Sequence, residues 1–489
     1  MPISTMSSPK SNKALIACGI LSVGAGAFLV VSIPLELPST HKVLGFMARA
    51  GIIAGLIFLT SFWLGKRAIS TQEPVNASPM AWLWYAMPCF VVWTIYLMAF
   101  WPGSMSPDSL YQWKETLTGQ FTDWHPAFHT MNIWLINHLW FSPAAVAFAQ
   151  IFALGSIAGW GLAGLGRLGA PRKMLWGVSL LFALSLVNGV MVITLWKDIA
   201  YSIAVLALTL LVLQIVSSNG LWFTKRGAWL ILMLTITLVA LYRHNGIVPA
   251  FGTPLILLLF YRRFWRQIMG ALLLALILFG GIRGPLYDAL DVGRGRPLVE
   301  ERLPKSLKTV MGKSSERGDR TLNNLIPILK RDLKPSAQIW RIKPDYEYFK
   351  RIEYVNIWKD ETNRLRYIGS NTLGIAPSSV LPGVKNFIFE LYQQSIRPPL
   401  YYYIWSPAFY LYLFLASVAI VSVRAGSWKF LVLAAPILLN SLPFLVMHIP
   451  LHKFIHRYHY PVILVSTLLS IPMLFIPLRV NRKRDGDVS

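Results

Sequence analysis

Acidic residues are scarce in this chain: 21 Asp and Glu stand against 46 Lys and Arg in 489 residues. Charged residues of both signs make up only 14%, against roughly 25% in soluble globular domains. Cysteine is nearly absent. Cys18 and Cys89 both lie in apolar stretches, so no disulfide framework is implied. No Walker-type phosphate loop, no dinucleotide-binding glycine pattern and no internal repeat is present, which argues against direct ATP use. Apolar residues, at 55%, dominate instead. They occur in continuous runs near 20 residues, long enough to cross a hydrocarbon layer about 30 Å thick. Their continuity, without alternation, implies helices and excludes a barrel.

The sequence predicts an all-α, multi-pass membrane protein with about twelve spans. They fall at 14–35, 43–65, 80–101, 145–166, 174–195, 199–217, 228–243, 246–260, 268–283, 399–423, 430–449 and 459–478. The first run is too long for a signal-peptide core and reads as a retained helix. A net charge of +25 would suggest nucleic acid in a soluble protein. Here the cations orient helices, and no nucleic acid is expected. Lys10 and Lys13, Lys66 and Arg67, Arg167, Arg172 and Lys173, Lys225 and Arg226, Arg262, Arg263 and Arg266, and Arg479 to Arg484 all fall on one side with twelve spans. The positive-inside rule makes that side cytoplasmic. The count requires that 126–141, which mixes apolar residues with His and Asn, lies as an amphipathic helix on the outer interface.

The chain then divides into an N-terminal helical pair (1–65), a transmembrane core (66–283) with a first outer loop at 102–144, a mostly helical outer domain (284–396), and C-terminal helices with a basic tail (397–489). Polar residues concentrate at four outer places. The first is Pro102-Gly103-Ser104-Met105-Ser106-Pro107-Asp108, continuing through Gln112 to Asp123-Trp124-His125-Pro126. Ser-Pro-Asp alone also fits a plain helix start. The second is Lys197-Asp198, a charged pair at a membrane edge, where ionisable groups need a reason; a self-paired, snorkelling Lys–Asp is the bland alternative. The third is Tyr242-Arg243-His244-Asn245-Gly246, where a guanidinium can bind phosphate through two parallel bonds. The fourth, His452 to Pro461, sets Lys453, Arg457 and three His on the side where cations should be few. Tyr458 and Tyr460 there also suit an aromatic belt. No well-spaced carboxylate or Cys joins these His residues, so no cofactor is indicated, although His is a common metal ligand.

An Asp directly after a membrane helix, followed 17 residues later by His125-Pro126, resembles the integral-membrane glycosyltransferases of the GT-C fold. That superfamily includes the protein O-mannosyltransferases and the enzymes that add aminoarabinose to lipid A. The resemblance covers about 80–283 and, more loosely, the last helices; the pair at 1–65 departs from the usual pattern, and 284–396 matches nothing in it. It implies Asp108 as catalytic base and Asp198 as a second acidic residue. Gln112, His125, Arg457 and Tyr458 match its motifs and, with Lys197, Arg243 and His244 chosen from their charge and place, are the expected substrate-binding residues. The expected donor is a sugar on a polyprenyl phosphate, and the acceptor a surface glycan, lipid or protein outside a bacterial cytoplasmic membrane. The residues agree with that chemistry. One carboxylate takes the acceptor proton, and cations meet charge developing on the departing phosphate. An O-antigen-type ligase or polymerase would rely on cations of a large outer loop and not need Asp108. A lipid-linked glycan transporter would show ionisable groups at mid-membrane and internal repeats.

Overall fold

The computed structural model describes residues 78–105, 107–293, 380–397, 399–446 and 455–476. The ranges 14–35 and 43–65, most of the outer domain, and His452 and Lys453 lie outside the described residues. Among them the structure is helical, with only two isolated β-bridges. The helices are α1 (Ala81–Ala99), α2 (Pro107–Thr118), α3 (Ala127–Leu139), α4 (Pro143–Arg167), α5 (Arg172–Leu184), α6 (Leu186–Val192), α7 (Lys197–Ser217), α8 (Ala228–Tyr242), α9 (Ile247–Phe260) and α10 (Trp265–Gly281). After 380 come α11 (Pro382–Ser395), α12 (Leu400–Ile404), α13 (Pro407–Ala425), α14 (Ala435–Val446), α15 (Ile455–Tyr458) and α16 (Tyr460–Met473).

Five of the described helices are long and apolar enough to cross a membrane, or six when α5 and α6 count as one bent span. Four shorter apolar helices accompany them. Lipid-sized side chains cover the outside: Val91 and Ile95 on α1, Leu181 on α5, Leu234 on α8 and Ile277 on α10 are all exposed. Exposed apolar side chains along so many helices would be untenable in water, so the protein is membrane-embedded. Burial ranks the helices. In α7 78% of the spanning window is buried, against 22% in the span that contains α10. Thus α7 is the central post and α10 a lipid-facing one. The Ser202 and Thr209 hydroxyls of α7 donate to carbonyls one turn back, which hides polar groups inside the helix.

Local chemistry fixes where helices stop. Ser142 caps α4 through Ala144 N–H, with Pro143 in the first turn. A close approach of α1 to α4 is possible because residue 159 is glycine: a Cβ there would lie 2.2 Å from the Trp82 carbonyl. The range 174–195 is not one straight helix. It breaks at Ser185 with a 58° bend; Ser185 caps α6, and the Asn188 amide donates to the Phe182 carbonyl that the break exposes. A second break, at Trp405-Ser406-Pro407, splits the expected helix at 399–423, because Pro407 starts a helix but cannot continue one. The range 430–449 begins as a 3₁₀ turn, Trp428–Ala434, before α14. Helix α10 runs past 283 through a π-helical turn, Ile282–Leu286, to Ala289, so the start assigned to the outer domain belongs to that helix. The amphipathic stretch 126–141 forms α3, with Trp134, Leu135 and Leu139 exposed.

Candidate active site

The sequence Pro102-Gly103-Ser104 does more than link two helices. Ser104 pairs with the break after α6: its N–H donates to the Ile193 carbonyl and its carbonyl accepts from Leu195 N–H, both at 2.9 Å. Gly103 makes this approach possible. It holds φ +117°, and a Cβ would lie 3.1 Å from the Ile193 carbonyl oxygen. From the other side, the Gln150 amide donates to the Val192 and Thr194 carbonyls. The bridge therefore locks the start of α2 against the start of α7, bringing Asp108 to Lys197.

Around that point five charged groups and one imidazole meet. Lys197 Nζ lies 3.6 Å from Asp108 Oδ2 and 2.9 Å from His125 Nδ1. An ammonium cannot accept, so Nδ1 accepts and the imidazole proton sits on Nε2. That nitrogen faces Asp108 Oδ1 at 3.9 Å. Arg457 Nη2 reaches Asp108 Oδ2 at 3.0 Å, and its Nε lies 3.6 Å from Asp198 Oδ2. Arg243 Nη1 lies 2.5 Å from Asp198 Oδ1. Both Asp198 oxygens are ion-paired without a hydrogen bond among the described residues: Arg457 Nε stands too far off at 3.6 Å, and Arg243, though close, is not aligned on Oδ1. Aromatic faces complete the cage. Arg243 lies 4.4 Å from the Tyr458 ring centre, and Tyr458 stacks flat on Phe444. Arg457 lies over Trp196 and Tyr458.

Burial orders these groups. The Asp198 side chain is 1% exposed, Arg457 5% and Asp108 29%. Asp108 is thus the member that solvent reaches most. Burial pushes its carboxyl up, but Lys197, Arg457 and His125 outweigh this and hold it at about 2. His125 goes the other way: burial, then Lys197, lowers it to about 4, so it is neutral at pH 7. Two guanidinium groups and the Lys197 amine then face two carboxylates. No group of three or more His, Cys, Asp or Glu that could hold a metal occurs among the described residues.

The structure thus brings together Asp108, His125, Lys197, Asp198, Arg243, Arg457 and Tyr458. The two other expected site residues, Gln112 and His244, lie apart from this cluster. Gln112 is fully buried and donates to Thr130 on α3, so it braces α2 against α3 and does not meet the charge cluster. Its neighbour Glu115 accepts from Thr122, and burial raises its carboxyl above the usual range. His244 is exposed and lies by a second pair, Asp123 with Arg283. Asp123 also accepts from Ala127 N–H, which shapes the His-Pro turn. Arg243 sits behind Asp198, one carboxylate removed from Asp108. Sequence reasoning missed His129 and Tyr201. His129 follows His125 by four residues, fully buried, with no hydrogen-bond partner for Nδ1 among the described residues; burial and Lys197 lower it to about 3. Tyr201 lies one turn beyond Lys197 and donates to Asn440; that Asn, inside an apolar run, was the available signal. Comparison with known proteins gives no match: no protein-family model, curated protein or solved structure is significantly similar to this chain.

Proposed function

We propose that the chain is a GT-C-type glycosyltransferase that moves a sugar from a polyprenyl-phosphate donor to an extracytoplasmic acceptor. The observation that supports this best is a solvent-reached carboxylate, Asp108, backed by the buried basic groups of Lys197 and Arg457, at one end of a membrane helix bundle. A sugar transfer that inverts configuration needs both parts. The carboxylate removes the acceptor hydroxyl proton as the sugar carbon is attacked. The cations meet the charge left on the phosphate when the glycosidic bond breaks, and so act more strongly in the transition state than in the ground state. Two guanidinium groups and an amine gathered in a low-dielectric site are suited to an anion, and a phosphate headgroup fits them while its prenyl chain stays among lipid-facing helices.

The opposite helix ends carry exposed Arg167, Lys225, Arg226, Arg262 and Arg263. By the positive-inside rule those ends are cytoplasmic, and the Asp108 end faces outward from a bacterial cytoplasmic membrane. The outer domain then contributes to acceptor choice, the acceptor being a glycan, lipid or protein. The decisive experiment compares Asp108→Asn with wild type for transfer of labelled sugar to surface glycans, read by mass spectrometry. Transfer should fall about 10²–10⁴-fold with protein level unchanged. Normal transfer by the variant overturns the reading.

A further inference from the structure

Asp108 Oδ2 is met by two cations at once: Arg457 at 3.0 Å and Lys197 at 3.6 Å. One anionic oxygen held by a guanidinium and an ammonium is what a phosphate ester would present to the same pair. The other sides of those cations are taken. Lys197 is bonded to His125 Nδ1. Arg457 has Asp198 at its Nε and the rings of Trp196 and Tyr458 against its guanidinium. The better-exposed groups here are Asp108 and Tyr111, whose ring stands edge-on to His125. A phosphate approaching from outside therefore meets the Asp108 carboxylate before it meets Arg457 or Lys197.

We propose that the Asp108 carboxylate occupies, in the ligand-free protein, the seat that a phosphate ester takes in the complex. Phosphate binding draws Arg457 and Lys197 off Oδ2 and frees Asp108. The reading deepens the transferase proposal and rests on it for the identity of the anion. It has a chemical consequence. A carboxylate held by two cations is a weak base, and its value near 2 reflects that pairing. Once the phosphate has taken the cations, Asp108 regains basicity. The base is thus switched on by the donor, and an acceptor arriving first finds it off. Asp198 makes the exchange possible, because it keeps Arg457 and Arg243 in place from behind while the front partner changes.

The reading makes an unusual demand: removing the carboxylate should tighten anion binding. The test uses purified full-length protein with three probes, namely geranylgeranyl phosphate, inorganic phosphate and geranylgeraniol, measured by calorimetry. Asp108→Asn and Asp108→Ala should bind geranylgeranyl phosphate about 10- to 100-fold more tightly than wild type, the worth of one charged hydrogen bond. The alcohol should bind all proteins alike. A gain for the lipid phosphate alone means a seat for a lipid-linked headgroup; an equal gain for inorganic phosphate means a seat for phosphate in general. Both support the shared anion seat. Arg457→Ala added to Asp108→Asn should abolish the gain, since the two changes act on one contact. The variants carry an extra uncompensated positive charge. Should they fold poorly, phosphate-dependent recovery of a cooperative melt is the readout, and its failure overturns the inference. Unchanged or weaker phosphate binding in folded variants overturns it while leaving the transferase reading standing. Absence of phosphate binding in every protein, wild type included, overturns both.

Discussion

The two ends of this helix bundle hold similar cations in opposite ways. At one end Arg167, Arg172, Lys173, Lys225, Arg226, Arg262, Arg263 and Arg266 are all exposed. At the other end Lys197, Arg243 and Arg457 are inside, with their charges on Asp108 and Asp198. An exposed cation at a membrane edge keeps its water, and its long stem lies along apolar surface at little cost. A buried cation has given up several kcal/mol of hydration, and only paired carboxylates keep it there. Position near a membrane edge is therefore a weak sign of function, whereas a cation that has left water has been placed by its surroundings. The comparison also separates the two carboxylates. Asp198 is enclosed between two guanidinium groups, and Asp108 stands at the front of the cluster.

The sharpest way to break that comparison is to remove the enclosed carboxylate. Asp198→Ala leaves Arg243 and Arg457 without their inner partner, and breaking a buried pair from one side costs about 3–5 kcal/mol. The variant should melt well below wild type in detergent and lose transfer altogether. A melt unchanged from wild type would mean that water compensates the two cations, and the buried end would then be no different from the exposed one. Gly103→Ala is the next largest. It puts a Cβ on a residue with φ +117° and 3.1 Å from a backbone oxygen, which should destabilise by about 1–3 kcal/mol. Because Gly103 sets the distance from Asp108 to Lys197, transfer should fall more than stability alone accounts for. A variant with wild-type transfer would show that the bridge to Thr194 does not position the carboxylate.

Much of this was legible in the sequence, and the exceptions have physical reasons. Where the ranges predicted as spans from 80 to 283 and from 399 to 478 cover described residues, they fall mainly on helices, because apolar runs in lipid leave the backbone no other partner. Asp108, Lys197 and Arg457 stood out as charges at apolar boundaries. What one-dimensional reading misses is contact between distant segments. Ser104 pairs with Ile193 and Leu195 through backbone atoms alone, which leave no residue signature except the glycine that permits it. The break at Ser185 is similarly quiet: Ser-Leu-Val-Asn reads as ordinary helix until Asn188 turns back to Phe182. Gln112 lies within the same polar motif as Asp108, and nothing in the sequence tells that its side chain faces α3. Arg243 appeared free to meet a phosphate because Asp198, 45 positions earlier, is invisible as its partner until the helices pack.

Acid should reach the buried end by a route that does not touch the exposed one. His125 is lowered from 6.5 to about 4 by burial and Lys197. The unfolded chain thus binds its proton first as pH falls, and stability is fully present above about 6.5 and lost progressively down to about 4. Asp108, lowered to about 2 against the pull of burial, holds its share above its ordinary value of 3.8 and loses it only below that. The two windows barely overlap. Melting temperature should therefore drop between pH 7 and 4.5 through His125 and the similarly buried His129. His125→Gln should flatten that drop by roughly 1–2 kcal/mol, after allowance for partial exposure. An equally steep drop in the variant would assign the loss elsewhere.

The smallest effect belongs to the exposed end, and its smallness is the point. Lys225 and Arg226 stand in water between α7 and α8, with no ion pair among the described residues. Replacing both by Gln removes no enclosed charge, opens no cavity and leaves no partner unpaired. Surface changes of this kind lie within about 0.5 kcal/mol, so the melt and the transfer rate should both stay at wild-type values. What these cations contribute is direction during insertion, where each charge in a short loop biases which side it stays on. Reporter fusions after Tyr111 and after Arg226 should therefore report opposite sides in the wild-type protein. With Arg262, Arg263 and Arg266 also replaced, a fraction of molecules should insert with reversed topology, while correctly inserted molecules keep full transfer. A loss of transfer in correctly inserted molecules would show that the exposed cations act on the site after all, and the division between placed and merely orienting charges would fall.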